Sequence, residues 1–169
     1  MGLFGNDNKL RFVMREKLLA IGDDYWIEDA DGNKAFKVNG KALRVRDTFK
    51  LEDSEGNEVA EIQERKLSIR DKMNIERGGK DLATVHKRLV GIRDRFIIDL
   101  EAGGELKAMG NFFEHNYEIK RDGDVIAEVS KKWVRVRETY GVEIQPGADV
   151  ALMLAITVAI DSLTDVGRD

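Results

Sequence analysis

The sequence contains no cysteine, one proline and two histidines among its 169 residues. Without cysteine there are no disulfide bonds, thiolate metal sites or cysteine nucleophiles, and nothing indicates an oxidising compartment. His86 and His115 stand apart in the chain, and neither has the spacing of a Ser/His/Asp constellation or of a metal-binding pair. We therefore expect a protein that is not an enzyme and that holds no metal or other cofactor.

An excess of positive charge is also missing. The chain has 28 Lys and Arg against 32 Asp and Glu, which gives a formal net charge of −4 at pH 7. Its overall field therefore does not attract nucleic acid or anionic lipid, and binding to either needs a local basic patch. The acidic balance makes nucleic acid the weaker hypothesis. Because the first residues lack the apolar core of a signal peptide, we expect a cytoplasmic location. We also expect a monomer.

Long apolar runs are absent with one exception, residues 150–160 (VALMLAITVAI), in which Thr157 is the single polar residue. A helix of this length spans ~16 Å, about half of the ~30 Å core of a bilayer. A helix that is apolar on every face must be covered on all sides. Pro146 and Asp149 precede the run, as a breaker and a cap would. The run therefore predicts a buried C-terminal helix rather than a membrane anchor.

The rest of the chain repeats one pattern. A branched apolar residue is followed by Arg, an acid, any residue and a large apolar or aromatic residue, with Asp-Gly or Gly-Gly turns between copies. The copies are residues 45–49, 69–73, 92–96 and 136–140, with looser ones at 14–18 and 113–117. Each copy with its turn fits a two-stranded unit, and such short connections allow only antiparallel pairing. Six units predict a mostly β fold in one domain over residues 1–169: a closed antiparallel barrel of about 12 strands around the buried helix.

Alternation of apolar and polar residues places several of these strands. Residues 58–64 and 124–130 mostly alternate, and residues 133–137 (WVRVR) do so without exception. A period of two is typical of a half-buried strand. We therefore predict a strand over residues 133–137. We also expect Trp133, like Trp26 in another such segment, to pack in the core.

Two segments are similar to known ligand loops, but turns explain them better. Residues 29–33 (DADGN) place oxygens at alternate positions as a calcium loop does, yet Lys34 stands where that loop needs glycine. Residues 78–80 (GGK) lack the spacing and the following Ser or Thr of a phosphate loop. We predict hairpin turns at both places.

The order of several pieces resembles the LURP-one-related family. The pieces are the hairpins at residues 27–32 and 51–56, the segment 130–133 (SKKW), and the run 140–149 (YGVEIQPGAD) that enters the helix. The resemblance covers nearly the whole chain. It implies the tubby-like fold, a barrel around a central hydrophobic helix, which this family shares with tubby C-terminal domains and phospholipid scramblases.

The resemblance implies little about activity. Tubby-like domains bind phosphoinositide headgroups at a basic surface, and scramblase-like relatives associate with membranes and calcium. The LURP-one-related branch has no established biochemical activity to carry over. In the scramblase pattern, a cluster of acids just before the Tyr-Gly-Val segment is the calcium site. Here residues 134–139 (VRVRET) are basic with one acid, so neither calcium binding nor scramblase activity is expected.

Four basic residues form the predicted lipid-binding site, namely Lys131, Lys132, Arg135 and Arg137. Arginine offers forked contacts to phosphate oxygens, and lysine offers a point charge. If the segment is a regular strand, Arg135 and Arg137 share one face, whereas the two lysines point in opposite directions. The hypothesis is therefore that this basic barrel face binds anionic phospholipid or phosphoinositide headgroups from a peripheral position on the membrane.

Further basic residues recur in matching phases along the chain: Arg44, Arg46, Arg70, Lys87, Arg88, Arg93 and Arg95. Every copy of the repeated pattern also carries its own Asp or Glu, so much of this positive charge can be neutralised locally. The alternative hypothesis is therefore a protein-interaction or structural domain without lipid affinity. A contiguous basic patch on the folded chain favours lipid binding, whereas interleaved ion pairs favour the alternative.

Overall fold

The computed structural model describes residues 8–16, 24–40, 48–65, 72–90 and 93–166. Over these residues the chain forms twelve β-strands followed by one α-helix. In chain order they are β1 (Leu10–Arg15), β2 (Asp24–Asp29), β3 (Lys34–Asn39), β4 (Thr48–Asp53), β5 (Glu58–Arg65), β6 (Lys72–Arg77), β7 (Lys80–Val90), β8 (Arg93–Leu100), β9 (Glu105–Asn111), β10 (Asn116–Arg121), β11 (Asp124–Ser130), β12 (Thr139–Ile144) and α1 (Val150–Val166). The predicted closed antiparallel barrel with a C-terminal helix is confirmed.

The barrel is an antiparallel meander. Each strand pairs with its neighbours in sequence, and β1 pairs with β12 to close the sheet. The closing ladder begins at Leu10 opposite Ile144 and ends at Arg15 opposite Thr139. Because a closed sheet has no free edge, the strands satisfy one another's backbone groups within the barrel.

Apolar side chains at alternate positions of the strands fill the interior of the barrel. In β1, Phe12 and Met14 are buried and the residues on either side of each are more exposed. In β12, Tyr140, Val142 and Ile144 are all fully buried. These inward side chains form one apolar cluster with α1, in which each large side chain contributes about 1.5–3 kcal/mol on burial.

The helix α1 lies inside this core and begins at a capped end. Residues 153–160 are all buried, as the all-round apolarity of the run predicts. At the start, Oδ1 of Asp149 accepts a hydrogen bond from the Leu152 N–H at 3.1 Å, so Asp149 is the N-cap. The Arg77 guanidinium donates to both carboxylate oxygens of Asp149, at 2.9 and 3.0 Å. These bonds from Arg77 hold the pKa of Asp149 below its usual value.

The helix extends past Ile160, where the prediction ended it, to Val166. The polar residues that follow Ile160 are not at the surface, since Asp161 and Thr164 are buried. The Tyr140 hydroxyl donates to Oδ2 of Asp161, and the Thr164 hydroxyl donates to the Ile160 carbonyl at 2.7 Å. Because both polar groups have partners inside the protein, the helix continues through them. Over the part of the chain described, no helix is long and apolar enough to cross a membrane.

Strand direction gives the barrel two different ends. The β2–β3, β4–β5, β6–β7, β8–β9 and β10–β11 connections and the start of α1 lie at one end, which we call the tight-turn end. The β1–β2, β3–β4, β5–β6, β7–β8, β9–β10 and β11–β12 connections lie at the other, which we call the loop end. The helix therefore runs from the tight-turn end towards the loop end.

Hairpin turns account for both segments that are similar to ligand loops. Oδ1 of Asp29 accepts hydrogen bonds from the backbone N–H groups of Asp31 and Asn33, each at 2.9 Å. Asp53 repeats the arrangement one hairpin later, with donors two and four residues on, each at 2.9 Å. Gly78 and Gly79 form the β6–β7 turn with positive φ angles of 59° and 80°. The predicted turns are thus confirmed. The Asp29 carboxylate accepts hydrogen bonds from backbone N–H groups of its own hairpin.

Candidate functional site

The repeated sequence pattern marks the loop end of the barrel. Its fifth residue is buried in every copy where that position is described: Phe49, Met73, Phe96, Tyr117 and Tyr140. Each of these residues lies near the start of an even-numbered strand, so together they form a layer of large side chains beside the end of α1. The pattern recurs because every even-numbered strand enters the barrel at this end and needs a large inward residue there.

The β11–β12 connection differs in charge from the connections of the tight-turn end. The charged residues in the connections of the tight-turn end are all acidic: Asp31, Glu55, Glu101, Asp122 and Asp149. At the loop end, the β11–β12 connection carries four basic residues and one acid, Glu138. The chain therefore has a local basic surface although its net charge is negative.

The structure brings the four predicted site residues together on one loop. Lys131, Lys132, Arg135 and Arg137 are all exposed on residues 131–138, which connect β11 to β12. The prediction of a strand over residues 133–137 is wrong, because β11 ends at Ser130 and β12 begins at Thr139. At Glu138 the backbone φ is 59°, a left-handed conformation that interrupts an extended strand. The face assignment made from strand alternation therefore does not apply.

Three cations of this loop differ in pairing from several lysines on the barrel wall. On the wall, several lysines lie beside carboxylates, for example Lys37 at 3.5 Å from Glu52 and Lys50 at 3.6 Å from Glu58. On the loop, Lys131 pairs with Glu16. Across the described ranges, no carboxylate forms an ion pair with the side chains of the other three basic residues of the loop. These wall lysines fit the interleaved pattern of the alternative hypothesis, whereas Lys132, Arg135 and Arg137 on the loop depart from it.

The loop also carries an exposed apolar side chain at its tip. Val136 is 68% exposed and stands between Arg135 and Arg137. Its carbonyl oxygen accepts a hydrogen bond from the Thr139 hydroxyl at 2.6 Å, which ties the tip to the start of β12. The backbone N–H of Glu16 donates to the Glu138 carbonyl at 2.8 Å and ties the loop to the end of β1. An apolar tip between two arginines is therefore held in a defined position.

Trp133 anchors the loop on the outer wall of the barrel. Its indole ring occupies the space above Gly141, where an added Cβ would lie only 2.3 Å from Cζ2 of the ring. The Arg11 guanidinium lies over the same ring, 5.8 Å from its centroid. The expectation that both tryptophans pack in the core is wrong. Trp26 is also half-buried on the outside, where Lys34 lies 5.1 Å from its ring centroid.

Gly141→Ala should release the loop without opening the barrel. Because the new methyl group overlaps the Trp133 ring, we expect the ring to move and the free energy of unfolding to fall by about 1–3 kcal/mol. Tryptophan fluorescence in a Trp26→Phe background reports the displacement of Trp133. In the double variant Trp133→Ala/Gly141→Ala the overlap is gone, so the alanine at position 141 should cost almost nothing there. An equal cost in both backgrounds would contradict the packing of Trp133 on Gly141.

Other basic residues from the sequence hypothesis are more scattered. Arg44, Arg46 and Arg70, and the side chain of Arg93, lie outside the described residues. Lys87 pairs with Asp94 at 3.3 Å. Arg88 and Arg95 lie opposite each other on β7 and β8.

A buried polar cluster at the loop end was missed from the sequence. Its members are Tyr25, Tyr117, Tyr140, His115 and Asp161. The His115 ring stacks on the Tyr140 ring with centroids 4.2 Å apart, and its Nε2 lies 3.5 Å from Oδ1 of Asp161. Burial, together with the nearby Asp161 carboxylate, raises the pKa of all three tyrosines well above the usual range. Barrel closure brings these residues together, and no sequence spacing indicates them.

The cluster does not form a metal site. Among residues whose placement is described, no three His, Asp or Glu side chains are close enough to hold a metal ion. With only one histidine and one carboxylate, both almost fully buried, the cluster ties the β9–β10 turn and β12 to the helix.

Comparison with known proteins agrees with this architecture. No curated protein has a matching sequence. The solved crystal structure of a protein from Arabidopsis thaliana is similar to this chain, with a TM-score of 0.68 and 20% sequence identity over 95% of this chain and 92% of that one. At that identity the similarity shows the fold. A sequence model described as LURP-one-related matches residues 10–161, so this chain belongs to the LURP-one-related family.

Proposed function

We propose that this protein binds peripherally to membranes that contain anionic phospholipid, and that the β11–β12 loop makes the contact. One observation carries the proposal: Lys132, Arg135 and Arg137 lack carboxylate partners in the described structure, and Arg135 and Arg137 flank the exposed Val136. Basic side chains near an anionic surface each contribute about 1 kcal/mol, and an apolar tip can enter the interface between headgroups.

The charge distribution supports one orientation on the membrane. With the loop end towards the lipid, the acidic connections of the tight-turn end lie at the far end of the barrel. Salt screens charges over about 8 Å at physiological ionic strength. The repulsion between the distant acids and the membrane is therefore reduced more than the attraction between the loop and the membrane. A chain of net negative charge can therefore still approach an anionic surface, provided that the β11–β12 loop faces that surface.

Family membership is consistent with this proposal without establishing it. Other tubby-like domains bind phosphoinositide headgroups, and arginine pairs such as Arg135 and Arg137 suit phosphate oxygens through forked hydrogen bonds. Lys131 contributes less than its position suggests, because the Glu16 carboxylate already neutralises it. The two arginines and Val136 are therefore the residues that we expect to dominate binding.

Vesicle flotation tests the proposal with a matched pair of variants. Arg135→Glu/Arg137→Glu removes two favourable charges and should weaken binding to phosphatidylserine or phosphoinositide vesicles at least ~30-fold. Lys9→Glu/Lys80→Glu changes the net charge equally at the tight-turn end and should bind as the wild type does, apart from a small loss. Binding of the wild type should also weaken steeply as salt is raised.

Two outcomes would defeat the lipid proposal. One is a wild-type protein that stays with the soluble fraction at low salt on every anionic vesicle. The other is an equal effect of the two charge-reversal variants, since that would leave no role for the loop. In either case the exposed Val136 between two arginines would instead favour the alternative, a surface for a protein partner.

A further inference from the structure

The barrel wall opens between two strands at the loop end. The ladder between β8 and β9 ends at Arg95 opposite Met109, although β8 begins at Arg93 and β9 continues to Asn111. In that stretch β8 stays paired with β7, and β9 stays paired with β10. The two strands therefore separate from each other while each keeps its other neighbour. The gap leads into a cleft of about 430 Å³ that reaches Thr164 near the end of α1.

The floor and mouth of the cleft are largely apolar. Phe96 and Phe112 meet edge to face, with centroids 4.7 Å apart, and form its inner wall. Met109 and Phe113 also line the cleft, and Phe113 is 42% exposed. At Gly110, φ is 144° and an added Cβ would lie 2.5 Å from the Asn116 carbonyl oxygen. Position 110 therefore cannot carry a side chain, and the cleft stays open there.

One cation in the cleft has no carboxylate partner among the described residues. Lys87 is neutralised by Asp94 at 3.3 Å. Nε of Arg95, by contrast, is buried without a hydrogen-bond partner, and the described chain supplies no carboxylate to the Arg95 guanidinium. In the register of β7 and β8, the residue directly opposite Arg95 is another cation, Arg88. Like charges in that position destabilise a sheet, so a bound anion would relieve a repulsion that the protein otherwise carries.

We propose that this cleft binds a single-chain anionic amphiphile, with its acyl chain against Phe96 and Phe112 and its carboxylate or phosphate on Arg95. Ligand sites are typically clefts of about 300–1,000 Å³ with mostly apolar walls and a few polar groups that fix orientation, which matches this one. The guanidinium suits either headgroup because it can donate two parallel hydrogen bonds. The β11–β12 loop does not line the cleft, so this inference is independent of the proposed membrane contact.

Calorimetric titration of the whole chain with short, soluble probes tests the ligand class. Octanoate and octyl phosphate carry the two headgroups on the same tail, and we expect one or both to bind with one-to-one stoichiometry. The preferred headgroup indicates whether a fatty acid or a phosphorylated lipid is the better fit. Octan-1-ol has the tail without the charge and should bind at least about tenfold more weakly. Inorganic phosphate, which has the charge without the tail, should not bind measurably.

Variants place the site within the barrel. Arg95→Gln should weaken octanoate binding about tenfold or more, because it removes the lining cation that has no ion pair among the described residues. Arg88→Gln makes the same charge change on the neighbouring strand, outside the cleft lining, and should bind normally. If Arg95→Gln does not fold, Arg95→Lys keeps the charge without the fork and should give an intermediate affinity.

The results also separate this inference from the membrane proposal. Arg135→Glu/Arg137→Glu should keep full octanoate affinity, whereas Arg95→Gln should keep vesicle binding. Failure of both octanoate and octyl phosphate to bind below their micelle concentrations would overturn the inference. Equal affinity of Arg95→Gln and Arg88→Gln would also overturn it, because the tail alone would then account for binding.

Discussion

Leu154→Asp should yield no folded protein. Leu154 is fully buried in the middle of α1, inside the barrel, and the cluster around it is apolar. The described residues around that position offer a carboxylate no cation to pair with, so burial costs several kcal/mol in addition to the about 1.5–3 kcal/mol lost with the leucine. Domains of this kind are stable by only about 5–15 kcal/mol. We therefore expect insoluble protein, or soluble protein without a cooperative thermal transition.

A matched substitution controls for the position itself. Leu154→Met keeps the volume and polarity of the side chain and should cost less than about 1.5 kcal/mol. Truncation after Pro146 removes α1 altogether and should be as damaging as Leu154→Asp, since the barrel would lose the helix that fills it. A truncated chain that stays soluble and melts cooperatively would show that the helix is dispensable.

The fold was predictable because its signals are local. Alternation within each hairpin and the recurring pattern before each even-numbered strand are both visible in short windows of sequence. The all-round apolarity of residues 150–160 indicated that something must surround the helix, and a closed sheet is what twelve short strands can provide. The end of α1 was less predictable, because Asp161 is buried beside Tyr140 only after β12 has taken its place in the barrel.

Residues 133–137 show where local pattern fails. Their perfect alternation predicts a strand, yet the space over Gly141 accepts the Trp133 ring on the outside of β12. Contacts with a neighbouring strand therefore override the period of two. The charge difference between the tight turns and the β11–β12 connection, in contrast, could have been found from the sequence. In an antiparallel meander, alternate connections lie at opposite ends, and the acidic turns alternate with the arginine-containing pattern.

The three tyrosines of the chain should make the protein unusually sensitive to alkali. Tyr25, Tyr117 and Tyr140 are all buried, and burial beside Asp161 raises the pKa of each well above its usual range. Above about pH 10 the unfolded chain loses these three protons while the folded chain keeps them. Since the folded state then binds more protons, stability is complete below pH 10 and falls as the pH rises, by up to about 4 kcal/mol per pH unit for the three groups.

Urea unfolding from pH 7 to 11, together with the ultraviolet absorbance of tyrosinate, measures this effect. Tyrosinate should appear only as the protein unfolds, in one cooperative step. Tyr25→Phe should reduce the slope of stability against pH by about a third relative to wild type. The same variant should cost little at pH 7, because the Tyr25 hydroxyl has no hydrogen-bond partner in the described structure.

Tyr140→Phe should behave differently from Tyr25→Phe and so completes the test. It reduces the alkaline slope equally, but it removes the hydroxyl that donates to the buried Asp161 carboxylate. Leaving that oxygen without its donor should cost about 1–3 kcal/mol even at neutral pH. If tyrosinate absorbance instead rises gradually near pH 10 while the protein remains folded, the tyrosines are accessible to solvent and the buried cluster is wrong. If both phenylalanine variants lose the same stability at pH 7, the Tyr140–Asp161 hydrogen bond does not hold β12 to the helix.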